Sequence, residues 1–471
     1  MALHISELPL EVLDRIFGFL PRHLKKQCLV VCKAWYTINL PGLNRYLQLQ
    51  GSEDVIVLYR KLFFEPKQIN GSDIRCLSLT AEKASDRYIV RRDILVRILN
   101  ACPKLQTLHL THDSNQFLDY MYQTRQELNL QTLKTIYIPF NVVNRVIRDR
   151  EFVAIYHYAQ KITQLSLNVN SNTFRDVPGN MDLGFYLSHF TVLRSLSLQF
   201  DNEIVLHNVL SSCPQLETLR LFGSNFLSLN ARLYMYPREE PKPLPIKSQL
   251  KTLVIDTCFV NQELLEYLTE NIESFYQLTL SSSLSRDIQQ LINTFNSYNP
   301  VKNLPVKCLR FESDFTYSEE LIQNIASCFY LSLKRLELTE CDYSKIMTEK
   351  NNLTLNFTGL DLEYLSINIQ DIFESSTRGL NKTALEIIVN DVSSTPPVIT
   401  LYFQRKSKWK PEHLFETKST KVYLNKSARQ RRLKSDHTCV LSIRADSIQY
   451  LRLYCRNQDK KQAFTQIINL Q

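Results

Sequence analysis

Glycine is scarce. The chain carries 9 in 471 residues, about 2% where a globular protein holds about 7%. It contains neither G-x-G-x-x-G nor G-x-x-x-x-G-K-[ST], so folds that cradle phosphates on glycine-rich loops are excluded. The 11 cysteines are scattered and form no C-x-x-C pair. That reads as reduced thiols in an intracellular protein, cytoplasmic and/or nuclear, and not as a disulfide framework. No run approaches the roughly 18 uninterrupted apolar residues of a membrane span, so no membrane contact is expected. Met1–Glu7 lacks a basic region followed by a long apolar run and is not read as a secretory signal. Catalytic signatures are equally lacking: there is no G-x-S-x-G and no H-E-x-x-H. His109-x-x-His112 has no Cys or carboxylate partner spaced for tetrahedral closure and reads as a surface pair. Cys28 and Cys32, four apart, read as core. The chain is therefore expected to be no enzyme, with no catalytic residue, no metal and no cofactor.

What is present suffices for a sizeable core: 44% hydrophobic and 22% charged residues. The formal charge of +9 is concentrated. From Arg405 to Lys434 stand eleven Lys/Arg against two acids, so this window carries the whole net charge. Its clusters include Lys408 and Lys410, then Arg429, Arg431 and Arg432, with Trp409 and Tyr423 interleaved. Such a segment is either a solvated loop or a contact for a phosphorylated partner, an import receptor or nucleic acid. Nucleic acid is the weaker reading, because charge is balanced elsewhere.

Near the N-terminus, Val12, Leu13, Ile16, Phe17 and Leu20 recur at three and four and make one apolar helical stripe. Ser6 is the expected cap, Pro9 lies in the first turn, and Pro21 stops the helix. A second helical run carries Leu24, Cys28, Val31 and Trp35, with Pro41-Gly42 as its expected end. The run from Leu8-Pro9-Leu10-Glu11 to Ile16-Phe17-Gly18-Phe19-Leu20, followed by Val30-Val31-Cys32-Lys33-Ala34-Trp35, closely resembles an F-box. The connection Pro21–Lys26 departs from the family pattern in being basic and lacking Asp. The resemblance implies docking onto the adaptor subunit of an SCF ubiquitin ligase and, through it, the cullin scaffold. Leu8, Pro9, Val12, Leu13, Ile16, Phe17, Leu20 and Val31 would form the contact, with Trp35 behind them.

After a stretch expected to be a linker, an apolar-x-x-apolar-x-apolar pattern begins at Ile74-Leu77-Leu79. It recurs to Leu362-Leu365-Ile367 in eleven copies, at steps of 23 to 34 residues and a mean of about 29. In each copy the L-x-L is a strand whose apolar residues share one face, and a helix such as Ile94-Leu95-Ile98-Leu99 returns the chain. One unit cannot bury its apolar face alone, whereas stacked neighbours can. Cys-Pro before the strand, in Cys102-Pro103 and Cys213-Pro214, and Cys three residues after it, at Cys258 and Cys341, are similar to the leucine-rich repeats of F-box proteins. The proline-rich stretch 236–245 reads as a surface insertion. Ile448–Leu453 restores the repeat and is placed in a terminal cap.

The expected fold is α/β: an N-terminal helical F-box (1–48), a linker (49–73), and an irregular leucine-rich-repeat solenoid, or horseshoe (74–471), containing the basic segment 405–434. The residue between the two strand leucines marks the candidate face for an unknown protein substrate, with His109, Tyr137, Arg220, Arg310 and Glu337 as its larger members. The family resemblance implies a substrate-recognition subunit of an SCF-type E3 ubiquitin ligase. The alternative is a repeat scaffold outside any ligase, possibly nuclear, that uses the basic segment.

Overall fold

The leucine pattern becomes strand after strand. The computed structural model describes residues 8–20, 22–65, 69–80, 91–110, 115–138, 149–169, 183–200, 203–223, 232–237, 246, 248–272, 276–281, 293–295, 306–312, 315–316, 318–329, 332–339, 341–343, 352–368, 384–391, 398–401, 438–456 and 462–469. The chain divides into two compact units, Met1–Leu216 with Gly223–Arg232, and Glu217–Phe222 with Leu233–Gln471.

The first unit opens with three helices, α1 (Leu10–Phe19), α2 (Arg22–Cys28) and α3 (Lys33–Asn44). Strands and helices then alternate: β1 (Tyr46–Gln50), α4 (Gly51–Phe63), β2 (Cys76–Thr80), α5 (Arg92–Asn100), β3 (Thr107–Leu110), α6 (Asn115–Gln123) and β4 (Thr135–Tyr137). There follow α7 (Asp149–Tyr156), β5 (Gln164–Val169), α8 (Leu183–Leu187), β6 (Ser195–Phe200), β7 (Glu203–Val205) and α9 (Leu206–Ser212). Strands β1 to β6 pair in chain order, all parallel. In register, Leu47, Leu77, Leu108, Ile136, Leu165 and Leu196 form one continuous row.

The second unit is built the same way from β8 (Thr218–Gly223), β9 (Arg232–Tyr234), β10 (Thr252–Asp256), α10 (Gln262–Asn271), β11 (Gln277–Ser281), β12 (Cys308–Glu312) and β13 (Phe315–Thr316). It continues with α11 (Glu319–Phe329), β14 (Arg335–Leu338), β15 (Cys341–Asp342) and β16 (Asn352–Asn368), and closes with β17 (Ala384–Asp391), β18 (Val398–Leu401), β19 (Thr438–Arg456) and β20 (Gln462–Asn469). Its parallel run is β8-β10-β11-β12-β14-β16-β19-β17. Here Leu219, Leu253, Leu278, Leu309, Leu336, Leu365 and Leu451 stand side by side. A long parallel sheet with return helices fits a solenoid-like fold.

Every apolar position of the eleven pattern copies among the described residues is buried. At about 1.5–3 kcal/mol for each large aliphatic side chain, these rows are the main source of stability in both units. Ile448, Leu451 and Leu453 take the repeat position expected of them, since β19 pairs parallel with β16. The repeat logic then ends: β18 and β20 pair antiparallel with β17 and β19.

Three expectations change. The stretch 49–73, expected to be a linker, belongs to the repeats: β1 joins the sheet and α4 packs on α5. Gly51 makes the sharp turn between them at φ +82°, a conformation side chains disfavour. Gly71, downstream, is required by space, because a Cβ there would meet the Ala101 carbonyl oxygen at 1.9 Å. Second, α3 runs through Pro41 to Asn44 and does not stop at Pro41-Gly42. The Pro41 carbonyl still accepts the Arg45 amide at 3.1 Å, and Leu43 and Asn44 are buried behind it, so tertiary burial overrides the local breaker. Third, Pro9 is the N-cap of α1 and not part of its first turn. Ser6 and Pro21, with which that helix was to be capped and stopped, lie outside the described residues.

Candidate functional site

Helix α1 carries more apolar surface than α3 can cover. Leu13 and Phe17, one turn apart, are buried. Phe17 meets the half-buried Trp35 edge to face, with ring centroids 4.9 Å apart. Val12 and Ile16 look the other way and remain 41% and 37% exposed. The stripe read from the sequence as one face is thus two. Leu13 and Phe17, expected in a contact surface, are the core of the helical group. Leu8 and Leu20 are half-buried, and Pro9 is exposed. Val31 is exposed, and so are large apolar groups the sequence reading did not count: Phe19 at 90%, Val30 at 86%, and Tyr36. The i, i+4, i+7 spacing of Val12, Ile16 and Phe19 was the available signal.

On the strand face of the first unit, His109 and Tyr137 are neighbours in register, with rings 5.2 Å apart. Tyr137 is exposed, while burial lowers the His109 pKa below its ordinary value and so favours neutral imidazole. His112 lies outside the described residues.

In the second unit, Arg220 is exposed and stands beside Val254. Arg310 and Glu337 are register partners, but Glu337 is buried and held. It accepts from Arg335 Nε at 2.6 Å and lies 3.7 Å from Arg310 Nε. Arg310 also pairs with Glu312 at 2.7 Å, and the Arg335 guanidinium sits 4.3 Å from the centre of the Tyr364 ring. Glu337 is therefore an internal counter-ion and not a presented contact, which corrects its place among the face candidates. The position between the strand leucines is also not uniformly open: Ser166, Val254, Thr279 and Ser366 are buried. Thr279 and Ser366 are short, and each has a longer neighbour in register, Arg310 and Glu337 respectively.

The basic-segment residues Lys408, Lys410, Arg429, Arg431 and Arg432 lie outside the described residues, as does most of the proline-rich stretch. Tyr236, at the start of that stretch, accepts from Asn271 Nδ2 at 3.1 Å and rests on Tyr267.

Cys76, Cys102, Cys213, Cys308, Cys328 and Cys341 are buried, as small apolar repeat positions should be. Cys32 and Cys258 are exposed, against expectation, and among the described residues no three His/Cys/Asp/Glu side chains gather as a metal site. Burial pushes the Cys102, Cys213 and Cys308 thiols up to about 12. A raised pKa favours the neutral form in the folded state. The contribution of these thiols is whole below pH 9 and is lost as pH rises toward 12. At pH 8, iodoacetamide should modify Cys32 and Cys258 in the native protein and reach these three only in denaturant. Mass spectrometry showing native Cys102 alkylated as fast as Cys32 would contradict the burial.

Among the described residues no helix is long and apolar enough to cross a membrane. No protein-family model matches the chain, and no curated protein does. Among solved structures, a chain of "Crystal structure of Rad7 and Elc1 complex in yeast" shares 14% identity over 78% of this chain and 89% of that one, with a TM-score of 0.36. That likeness is too loose to carry the fold, which rests on the strands and their register.

Proposed function

We propose that this chain is an F-box protein with leucine-rich repeats, the non-catalytic substrate-recognition subunit of an SCF-type ubiquitin ligase. The observation that carries the reading is the exposed apolar row Val12, Ile16 and Phe19 on α1, with Val30 and Val31 also exposed, on the residues that resemble an F-box. Exposed large apolar groups gathered on one short helix mark a protein contact, and an adaptor groove would take them out of water. The strand faces would hold a protein substrate, with His109 and Tyr137 on one unit and Arg220 on the other as candidate contacts. No residue of the chain performs bond chemistry in this scheme. Its effect is proximity: bound substrate has a high effective concentration near the ubiquitin-charged enzyme. The chain would act in the cytoplasm and/or nucleus.

The test is a calorimetric titration of the intact chain with purified SCF adaptor. Sub-micromolar affinity is expected for the unaltered chain, and a loss of about 100-fold or more for Val12→Asp/Ile16→Asp, at two hot-spot residues of about 2 kcal/mol each. Both side chains are already exposed, so the variant should keep its melting temperature. Equal affinity in the two proteins would sink the reading.

A further inference from the structure

The edge of the first unit where the chain enters its strands carries one cation per strand. In the register column just before the strands stand Arg45, Arg75, Gln106, Lys134, Thr163 and Arg194. Where that column is neutral, at Gln106 and Thr163, the residue two positions earlier is a lysine: Lys104 and Lys161. The row is held rigidly. The Arg45 carbonyl accepts the Arg75 and Cys76 amides at 2.9 and 2.8 Å, and the carbonyls of Arg75, Gln106, Lys134 and Thr163 each take two amides of the next strand in the same way. At about 4.8 Å per strand, the six entries span about 24 Å.

Most of these charges lack acidic partners. Among the described residues no carboxylate pairs with Arg45, Arg75, Lys104, Lys134 or Lys161. Arg75 Nη1 donates to the Lys104 carbonyl at 3.2 Å, and Lys161 donates to the Gln131 side chain, both neutral acceptors. The second unit is the internal contrast. On its corresponding edge Lys251 pairs with Glu217 at 3.1 Å and Lys334 with Asp361 at 2.8 Å. The same repeat architecture is therefore neutralised in one unit and left cationic in the other.

We infer that the strand-entry edge of the first unit is a docking surface for an acidic segment of a partner protein. A row of cations set at the strand spacing matches an extended or helical run of Asp/Glu side chains. The residues between the cations, Gln106, Thr132 and Thr163, are hydrogen-bonding groups, and the exposed Tyr46 beside Arg45 is a single ring at one end of the row, too little to stack successive bases, which favours protein over single-stranded nucleic acid. Favourable contact of cations with helix C-termini explains part of the pattern, but it applies equally to the second unit, where Lys251 and Lys334 are paired and the column that holds Lys307 also holds Glu217 and Glu363. The inference is independent of the adaptor contact, which lies on α1.

The probe is fluorescent poly-L-glutamate of about 20 residues, read by anisotropy at low salt, where surface charge is least screened. The baseline is the full chain with all eleven Lys/Arg from Arg405 to Lys434 changed to Gln, which removes the competing basic segment. This protein should bind the probe. Charge reversal at Arg75, Lys104, Lys134 and Lys161 to Glu should weaken binding at least about ten-fold, and the milder Lys104→Gln/Lys134→Gln pair should weaken it measurably while keeping the melting temperature. Reversal at Lys251 and Lys334 should change it less than about two-fold. Three results would overturn the proposal: a baseline that does not bind, equal loss from the two edges, or tighter binding of a thymidine 20-mer that the same first-unit variants abolish.

Discussion

Leu219→Asp is expected to unfold the second unit, while Arg220→Asp, one residue further along the same strand, should change stability by less than about 0.5 kcal/mol. Leu219 is fully buried beside Leu253, whereas Arg220 is exposed beside Val254. An aspartate at the first position loses the leucine's packing, about 2–5 kcal/mol, and adds the several kcal/mol cost of a buried, unpartnered polar group. Against a typical native stability of about 5–15 kcal/mol, that sum is enough to abolish folding. Urea unfolding of the full chain, followed by circular dichroism, reads the difference. Because a one-residue slip exchanges the two faces of a strand, two tolerated variants would mean that β8 does not pair with β10 through Leu219 and Leu253.

Phe17→Ala is the second large effect. Phe17 is buried and in ring contact with Trp35, so truncation should cost about 3–5 kcal/mol. The three N-terminal helices form too small a body to absorb that loss. Residues 10–44 should become protease-sensitive and Trp35 emission should shift to the red, read cleanly with Trp409→Phe since the chain has only 2 tryptophans. Val12→Ala on the exposed side should leave both signals unchanged. Unshifted emission and retained protection in Phe17→Ala would remove Phe17 from the core.

The strands were legible because their signal repeats. A three-position apolar template spaced at about 29 residues marks the buried rows of both units, and the partnered face follows from alternation. The first repeat escaped for a local reason: Leu47 and Leu49 fit the template, but the position three before Leu47 is Asn44, a buried polar residue where an apolar one was sought. Pro41 misled because breaker rules weigh the local chain and not the burial of Leu43 beyond it. The surfaces were less legible than the core. Alternation says which side of a strand a residue occupies, not how deeply it is buried. Glu337 therefore looked like a face residue until Arg335 and Arg310 were seen to hold it. On α1 the apolar stripe was correct as a pattern, but α3 covers only Leu13 and Phe17 and leaves Val12 and Ile16 in water.

The most direct measurement is the mass, by size-exclusion chromatography with light scattering, of the intact chain mixed with purified SCF adaptor and cullin scaffold. The receptor reading predicts one assembly containing one copy of each, which Val12→Asp/Ile16→Asp dissolves without unfolding the chain. An intact chain that elutes apart from adaptor and cullin, with Trp35 emission showing its N-terminal helices folded, would contradict it.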